Sequence, residues 1–362
     1  MNSLCCVFNY ASLYRKSIYM HIDKEFDAQF YFGDMQSDIE KMDYEDFKKK
    51  PITIREKHFF KKILWRKDLL SLPFKPYKHY MVIGDSNLSY FPFVVLCKMM
   101  GKKVYAWGHG YKKFKGIYGK LFKWLYKQYD VYFTYGEKGR DRLIDLGIPP
   151  RKLEVIYNSL NEGVNSDSQR SYKSEIVSAH FNNGYPTLLF VGRLTKVKQL
   201  DWIIKAQIHH KSLGLFYNVL IIGDGEEREK LEDLVTQNQL QSAVWFYGKC
   251  YDEEELSTLL YNVDLCVSPG NVGLTALHAM TYGTPVISHD DFESQMPEYE
   301  TIIPGKTGDL YKKGDFEDFC LKIQKWFSNS FDREQIRNHC HDVINGKYNS
   351  LYQIQLLLKI IN

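Results

Sequence analysis

The sequence lacks any long apolar run, and no stretch approaches the roughly 18 residues that a membrane-spanning helix needs. The amino-terminal apolar stretch, residues 4–8, is shorter than the ~7–15 residues of a signal-peptide core, so we expect no signal peptide. The formal net charge is only +4, which is too small to indicate nucleic-acid binding by itself. We therefore expect a cytoplasmic protein that does not bind nucleic acid.

Metal-binding and disulfide patterns are missing as well. The seven cysteines are scattered without a C-x-x-C pair, so neither a zinc site nor a disulfide framework is indicated. The sequence also has no D-x-D motif, and we expect no metal. Apolar residues make up 44% and charged residues 25% of the chain, which excludes a wholly disordered protein. A length of 362 residues favours two domains.

Strand and helix signals alternate along the chain, which predicts an α/β fold with parallel sheets. In the first half, short apolar runs predict strands at residues 4–8, 29–32, 80–83, 103–106, 131–134 and 154–156. In the second half, nearly continuous apolar runs predict strands buried on both faces, at residues 187–191, 218–222, 243–247, 264–268 and 285–288. Together these signals indicate doubly wound sheets, whose ligands bind beyond the carboxyl ends of the strands.

A polar segment rich in Ser and Asn separates the two halves at residues 159–184 and reads as a linker. We place an N-terminal domain at residues 1–165 and a C-terminal domain at residues 166–335. The remaining residues, 336–362, end in a predicted helix that could pack back on the N-terminal domain.

The strongest local signal is the sequence FVGRLTKVKQ, which begins at Phe190. The predicted strand ends at Gly192 and a helix begins near Leu200, so Arg193 and Lys198 project from a strand-to-helix loop. Two cations beside a helix N-terminus suit a diphosphate. A solvated basic loop is the alternative interpretation.

A second strand-to-helix loop, in the sequence VSPGNVGLTALHAM, contains Gly270 and Gly273. Glycines let backbone N–H groups approach a ligand closely, and the helix that follows favours a phosphate or a developing oxyanion. His278 lies about one turn into that helix and could reach the same site, although a structural histidine is equally compatible. The turn IIGDGEE does not complete a G-x-G-x-x-G fingerprint because Arg228 replaces the third glycine, which argues against a nicotinamide oxidoreductase.

These motifs, with their order and spacing, resemble the retaining glycosyltransferases of family four, which have the GT-B fold. The resemblance covers about residues 150–315 and rests on FVGRLTKVKQLDWIIKA, IIGDGEEREKLEDL, VWFYGKCYDEEELSTLLYNVDLCVSPGNVGLTALHAMTYGTPVI and MPEYETIIPGKTGDLY. It implies two Rossmann-like domains that face each other across a cleft, with a nucleotide-sugar donor mainly on the second domain.

The resemblance also implies roles for individual residues. Arg193 and Lys198 fall on the family's pair of cations that hold the donor diphosphate, directly after Gly192. Lys249 and Cys250 match the turn that meets the nucleotide base. The backbone cradle for the sugar and its phosphate matches Asn271, Val272, Gly273, Leu274 and Thr275.

One departure from the family pattern concerns two glutamates that are usually separated by seven intervening residues. Their positions are occupied here by Gly270 and His278. In the family the first glutamate contacts the donor sugar and the second the ribose, and a neutral histidine could still hydrogen-bond a ribose hydroxyl. Because the surrounding motif is intact, we expect a variant subgroup rather than a decayed enzyme.

In the first half, His109 follows a predicted strand in the sequence WGHG, where family members often have a histidine. We expect it to contact the donor sugar or phosphate, although a structural turn histidine is the alternative. Asp85, Ser86 and Asn87 follow another strand. They could face the acceptor, or they could form an ordinary turn and helix cap.

Two basic and aromatic stretches indicate contact with a membrane surface. Residues 111–129 contain six lysines and no acidic residue, with an apolar face, as in a helix that lies in the membrane interface. Residues 47–70 are a second such stretch. The alternative is an amphipathic core helix with a solvated basic face.

The sequence therefore predicts a metal-independent, retaining glycosyltransferase with no cofactor besides its nucleotide-diphosphate-sugar donor. Because the family often glycosylates lipid-linked acceptors, we expect a lipid-linked or polysaccharide acceptor in capsule or lipopolysaccharide biosynthesis, at the inner face of a membrane. Two alternatives stay open. The chain could be a non-catalytic nucleotide-sugar-binding or partner subunit, or a sugar-nucleotide epimerase of similar shape.

Overall fold

The computed structural model describes residues 3–33, 40–59, 63–85, 87–110, 116–160, 173–328 and 332–361. The chain divides into two compact units. The first unit contains residues 1–161 and 347–362, and the second contains residues 162–346. Residues 161–172 of the predicted linker lie outside the described residues. The C-terminal segment separates from the second unit at residues 346 and 347 rather than at 336, because one continuous helix runs through residue 336.

The first unit is built on a seven-stranded parallel sheet. Its strands are β1 (Ser3–Phe8), β2 (Asp27–Gly33), β3 (Ile52–Ile54), β6 (His79–Ile83), β7 (Lys103–Gly108), β8 (Val131–Thr134) and β9 (Leu153–Val155). Two further strands, β4 (Glu56–Phe59) and β5 (Ile63–Arg66), form an antiparallel hairpin. The order across the large sheet is β3-β2-β1-β6-β7-β8-β9.

The second unit has a six-stranded parallel sheet. Its strands are β10 (Thr187–Val191), β11 (Asn218–Ile222), β12 (Val244–Gly248), β13 (Leu265–Ser268), β14 (Val286–His289) and β15 (Gly308–Tyr311). Their order is β12-β11-β10-β13-β14-β15. The order reverses between β10 and β13, and such a switch point opens a crevice at the carboxyl ends of the strands. The predicted α/β class with two parallel sheets is confirmed.

Helices connect the strands in both units. They are α1 (Lys16–Glu25), α2 (Tyr90–Met99), α3 (Gly116–Gln128), α4 (Glu137–Asp145), α5 (Ile176–Phe181), α6 (Asp201–Ser212), α7 (Arg228–Gln237), α8 (Glu253–Tyr261), α9 (Leu274–Thr281), α10 (Phe316–Ser328), α11 (Arg333–Lys347) and α12 (Ser350–Ile361). None of these helices is both long and apolar enough to cross a bilayer.

The last helix, α12, completes the core of the first unit. Its apolar face buries Ile354, Leu357 and Ile361 in the same cluster as residues of β1 and β2. The helix packs against α1, where the hydroxyls of Ser17 and Ser350 lie 2.8 Å apart. The chain end is therefore an integral part of the first unit, although its sequence follows the second.

Candidate functional site

At the carboxyl ends of β10 and β11, the backbones of the two segments are hydrogen-bonded and in direct contact. The amide of Gly192 donates to the carbonyl of Ile222 over 2.9 Å, and the amide of Leu194 donates to Asp224 over 3.0 Å. A Cβ at Gly223 would lie 1.9 Å from the carbonyl oxygen of Gly192, so only glycine fits there. This contact fixes the path of the loop that carries Arg193 and Lys198.

The side chain of Lys198 turns inward and binds the neighbouring strand-to-helix loop. Its Nζ donates to the carbonyl oxygens of Asn271 and Val272, over 2.6 Å and 3.3 Å. An ammonium group has three donors, so one N–H remains after these two bonds. Burial lowers the pKa of Lys198 to about 8, and the nearby carboxylate of Glu298 partly offsets this effect. Lys198 is thus a partly desolvated cation that holds the 271–272 loop.

Arg193 lies on the same loop, but it is exposed to solvent. The two predicted cations therefore differ in environment. Lys198 is fixed by backbone carbonyls, whereas the guanidinium of Arg193 lies at the surface of the unit. A charged group in water contributes little electrostatic free energy to binding until a ligand excludes the water around it.

The loop after β13 packs directly on the Lys198 segment. The amide of Gly270 donates to the carbonyl of Lys198 over 2.9 Å. A Cβ at Gly270 would lie 1.9 Å from the carbonyl oxygen of Val197 and 2.7 Å from Cα of Lys198. With this loop path, no side chain fits at position 270, because the backbone of residues 197 and 198 occupies the space where a side chain would lie.

Gln295 clamps this loop from the other side, and sequence reasoning did not identify it. Its Oε1 accepts from the amide of Val272 over 2.9 Å, and its Nε2 donates to the hydroxyl of Ser288 and the carbonyl of His289, over 2.7 Å and 2.9 Å. The amide of Val272, which we predicted to contact the donor, is therefore already bonded within the protein.

Helix α9 begins directly beyond this loop with Gly273 as its N-cap, and no side chain caps it. The first amides of a helix have no intrahelical acceptor, so Leu274 and Thr275 present free N–H groups together with the positive end of the helix dipole. The hydroxyl of Thr275 donates to the carbonyl of Val191 over 2.7 Å, which ties the helix start to the end of β10. Lys198 and this helix start form a site that suits an anion.

His278 lies on α9 and is partly buried. Burial lowers its pKa, and the carboxylate of Glu253 opposes this effect. Glu253 also accepts a hydrogen bond from the hydroxyl of Tyr282 over 3.1 Å. A largely neutral imidazole is therefore expected at pH 7, and it can donate one hydrogen bond and accept another.

The turn after β12 carries Lys249 and Cys250. Lys249 is exposed, with its Nζ 3.8 Å from a carboxylate oxygen of Asp224. The Sγ of Cys250 donates to Glu255 over 3.1 Å, and burial together with this carboxylate raises the pKa of the thiol to about 12. Cys250 is thus an unreactive part of the turn, and a contact with a nucleotide base there would come from its backbone or from neighbouring side chains.

In the first unit, His109 follows β7 and is exposed, with its ring 4.8 Å from the ring of Tyr135. A Cβ at Gly108 would lie 2.9 Å from the carbonyl oxygen of Gly84. The glycine before His109 therefore serves strand packing as well as leaving space near the histidine.

The predicted acceptor residues after β6 separate into different environments. Asp85 is partly exposed and lies 3.8 Å from Nη2 of Arg66. Asn87 is buried, and its Oδ1 accepts from the amide and the hydroxyl of Ser89 over 2.9 Å and 2.6 Å. Asn87 thus forms a turn with Ser89 and does not cap α2, whose N-cap is Ser89 without a side-chain cap hydrogen bond. The role of Asn87 toward an acceptor stays a prediction. Ser86 lies outside the described residues.

No group of His, Cys, Asp and Glu side chains in the described ranges has the arrangement of a metal site.

Residues 172–343 match the family model described as glycosyl transferases group 1. An uncharacterized glycosyltransferase of Methanocaldococcus jannaschii is 33% identical over 150 residues, which are 38% of this chain and 36% of that protein. A lipopolysaccharide 1,6-galactosyltransferase of Salmonella typhimurium is 25% identical over 73% of this chain and 72% of its own length. The chain thus spans little more than a third of the first of these relatives.

Among solved structures, HepE of Anabaena in complex with UDP is similar, with a TM-score of 0.72, 14% identity and 99% of each chain covered. This likeness concerns the fold. The match to the family model covers most of the second unit, and the predicted GT-B class of two Rossmann-like units is confirmed.

Proposed function

We propose that this protein is a glycosyltransferase that moves a sugar from a nucleotide-diphosphate sugar to a lipid-linked or polysaccharide acceptor in the synthesis of cell-surface polysaccharide. The observation that carries the proposal is the anion site of the second unit. There, Lys198 binds the carbonyls of Asn271 and Val272 next to the uncapped start of α9. The family match of residues 172–343 supports this assignment.

The donor diphosphate would bind to the remaining N–H of Lys198 and to the amides of Leu274 and Thr275, with Arg193 closing over its exposed side. When the bond between the anomeric carbon and the diphosphate oxygen breaks, the electron pair goes to the leaving nucleoside diphosphate. Fixed cations and helix amides stabilise the charge that develops there, and they need little reorganisation to do so.

We further propose that the anomeric configuration is retained and that no metal takes part. The acceptor oxygen would form its bond on the face that the diphosphate leaves, and the acceptor proton would pass to the departing phosphate oxygen. This scheme balances without a side-chain base. Two cations and a helix dipole are able to carry the charge that a divalent ion carries in other transferases.

The missing glutamates point to a different way of holding the donor. A carboxylate cannot occupy position 270 because the backbone of Val197 and Lys198 fills that space. We propose that His278 replaces the second glutamate with a hydrogen bond to the ribose. The close packing of the 270 loop on Lys198, and its clamp by Gln295, favour a variant site that is maintained over one that has decayed.

Two comparisons suggest the substrates to test first. The Salmonella relative is named as acting in lipopolysaccharide synthesis, which supports a glycan acceptor of the cell surface. The similar Anabaena structure contains UDP, so we propose a UDP-sugar as the donor. His109 remains our proposal for a contact with the donor sugar or phosphate, and Asp85 for a contact with the acceptor.

We propose that α3 docks on the inner face of a membrane rich in anionic lipid. Its outward side exposes Ile117, Tyr118, Leu121 and Trp124, with exposures between 41% and 78%. Lys120 is exposed on the same helix. Apolar side chains with lysines beside them match the interface of an anionic membrane.

The second basic stretch contributes less to this surface. Phe47 and Leu69 are buried in the core of the first unit, so they are not available to lipid. Side chains in the hairpin between residues 57 and 64 lie outside the description. Ile52 is exposed beside them, and the membrane proposal rests on α3.

The function is tested by titrating the protein with UDP, GDP and ADP in a calorimeter and by assaying transfer from the corresponding sugars. We expect one nucleotide diphosphate to bind in the micromolar range, with EDTA leaving both binding and transfer unchanged. Arg193→Ala should weaken that binding about tenfold or more, since charge-assisted hydrogen bonds to phosphate are lost. Lys230→Ala, which removes an exposed cation of the same unit, is the matched control.

The outcomes separate the competing functions. Binding without transfer to any glycolipid or polysaccharide acceptor would favour a non-catalytic subunit. Conversion of the donor sugar with no acceptor present would favour an epimerase. An anomeric inversion seen in the product by NMR coupling constants would contradict retention while leaving the transferase assignment intact.

A further inference from the structure

A buried cation that has no carboxylate partner among the described residues lies at the carboxyl edge of the first unit's sheet. Arg15 is the residue just before α1, and it is only 9% exposed. Its guanidinium carbon lies 5.7 Å from the ring centroid of Trp107 and 5.1 Å from that of Tyr135. Nη2 donates to the hydroxyl of Tyr135. Arg15 was not identified from the sequence, because the residues around it are distant in the chain.

The cluster holds several donors and, among the described residues, no carboxylate. Nη2 of Arg15 donates to the hydroxyl of Tyr135, the hydroxyl of Tyr19 is a second polar neighbour of the guanidinium, and Arg15 makes no ion pair with the described residues. The indole N–H of Trp107 is also buried without an acceptor among those residues. A buried N–H without an acceptor is costly, so this indole, beside a cation that has no carboxylate among the described residues, favours an anionic ligand.

Arg66 is another buried arginine of this unit, and its partners can be compared with those of Arg15. Arg66 is 1% exposed, and its Nε binds the carboxylate of Glu56 over 2.9 Å, with Asp85 3.8 Å from Nη2. Charge compensation is thus built into the site of Arg66. A buried charge normally has such a partner, and among the described residues no carboxylate fills this role at Arg15, which leaves room for an anion from outside.

The location of Arg15 is that of a ligand site. Trp107 is the next-to-last residue of β7, and Tyr135 directly follows β8, so both lie at the edge where ligands meet parallel sheets. His109 is exposed beside Tyr135 at the same edge. An anion that approaches along His109 would therefore come close to the guanidinium.

We propose that Arg15 and the indole N–H of Trp107 bind a phosphate group of the acceptor. This inference rests on the proposed transferase function, and it adds that the acceptor is a phosphorylated one. The planar guanidinium fork matches two phosphate oxygens, and the aromatic rings around it exclude water and strengthen the interaction. The phosphate belongs either to a phosphorylated glycan or to a lipid phosphate.

The test is an NMR titration of the 15N-labelled protein with inorganic phosphate, read at the indole N–H of Trp107 and carried out with and without saturating UDP. Trp107→Phe assigns the signal. We expect phosphate, but not equal ionic strength of chloride, to shift the Trp107 signal in a saturable way. The absence of that shift in the wild-type protein at 20 mM phosphate would overturn the proposal, whatever the variants do.

Variants then locate the site. Arg15→Gln should weaken the phosphate response at least tenfold while the Kd for UDP changes less than twofold, and Arg15→Lys should restore part of the response. Thermal unfolding shows whether each variant is folded. An unchanged response in folded Arg15→Gln would overturn the proposal, as would a loss of UDP affinity equal to the loss of phosphate affinity, since Arg15 would then bind the donor.

Two further probes distinguish the sources of the phosphate. A tighter response to glucose 6-phosphate than to dodecyl phosphate supports a phosphorylated glycan, and the reverse order supports a lipid phosphate. If the wild-type protein binds none of the nucleotide diphosphates, the proposed function fails. A Trp107 response that is lost in Arg15→Gln would still support the anion site in that case.

Discussion

The carboxyl-edge loops of the two sheets are held in place by different means. In the second unit, backbone groups bind each other directly, as at Gly192 and Gly223, or bind Lys198. In the first unit, Gly84 and Gly108 also pack closely, but long buried side chains such as Arg15 and Tyr135 fill much of the corresponding edge. Backbone loops packed through glycine present amides to a diphosphate with little freedom to rearrange. Side chains at the other edge set the chemistry of whatever binds there.

The largest effect is expected from adding a methyl group where two backbones meet in the second unit. Gly270→Ala should lower the free energy of unfolding by about 3 kcal/mol, because its Cβ collides with the backbone of Val197. Gly346→Ala is the matched control, since a Cβ there meets no atom within 4 Å and alanine favours the helix. Urea unfolding of both variants measures the difference, and equal stabilities would contradict the packing argument.

A second change removes the charge that joins the two loops of the second unit. Lys198→Met keeps most of the side-chain volume, and we expect the Kd for UDP to rise about 50-fold because a partly buried charged hydrogen bond is lost. Calorimetry gives the Kd, and thermal unfolding shows whether the 271–272 loop still supports the fold. A Kd within twofold of the wild-type value would exclude Lys198 from the donor site.

The pH dependence of UDP binding also tests the role of the Lys198 charge. Burial lowers the pKa of Lys198 to about 8, so the free site loses its proton above pH 8, whereas a bound diphosphate favours the protonated amine. UDP binding should therefore take up a proton, and affinity should fall by up to about tenfold per pH unit above pH 8. Lys198→Arg should abolish this fall in titrations between pH 7 and pH 9.5. A wild-type affinity that stays constant over this range would contradict the assignment.

The smallest expected effect concerns α3 of the first unit. Ile117→Ser should weaken binding to phosphatidylglycerol vesicles about fivefold, the loss expected from one partly buried aliphatic side chain. Leu321→Ser removes an apolar side chain of similar exposure from α10 and should leave vesicle binding unchanged. Equal losses in both variants, measured by vesicle sedimentation, would argue against a specific docking face.

The same contrast explains which features were predictable from the sequence. Strands β8, β10 and β11 have their predicted bounds, because continuous apolar runs end at polar or glycine residues. Strand β15 was missed, since the sequence GDLY is half polar and pairs only at the edge of the sheet. Helices α1, α10 and α11 were missed because they mix charged and apolar residues, although Asp315 and Asp332 cap the starts of α10 and α11 and are readable start signals.

Which residues of the candidate site could be predicted also depended on local sequence patterns. Lys198 and the 270–275 loop were predicted because each belongs to a motif whose residues lie close together in the sequence. Gln295 and Arg15 were not, because their partners come together only in the fold: Gln295 reaches back 23 residues to Val272, and Arg15 contacts Tyr135 120 residues away. Local patterns reveal backbone sites, while sites made of distant side chains need the structure.

The central claim, that Lys198 and the start of α9 bind the donor diphosphate, is tested most directly by a crystal structure of the protein with UDP. The account predicts phosphate oxygens within about 3.2 Å of the Nζ of Lys198 and of the amide nitrogens of Leu274 and Thr275. UDP bound elsewhere, or a diphosphate that contacts neither Lys198 nor the start of this helix, would contradict it.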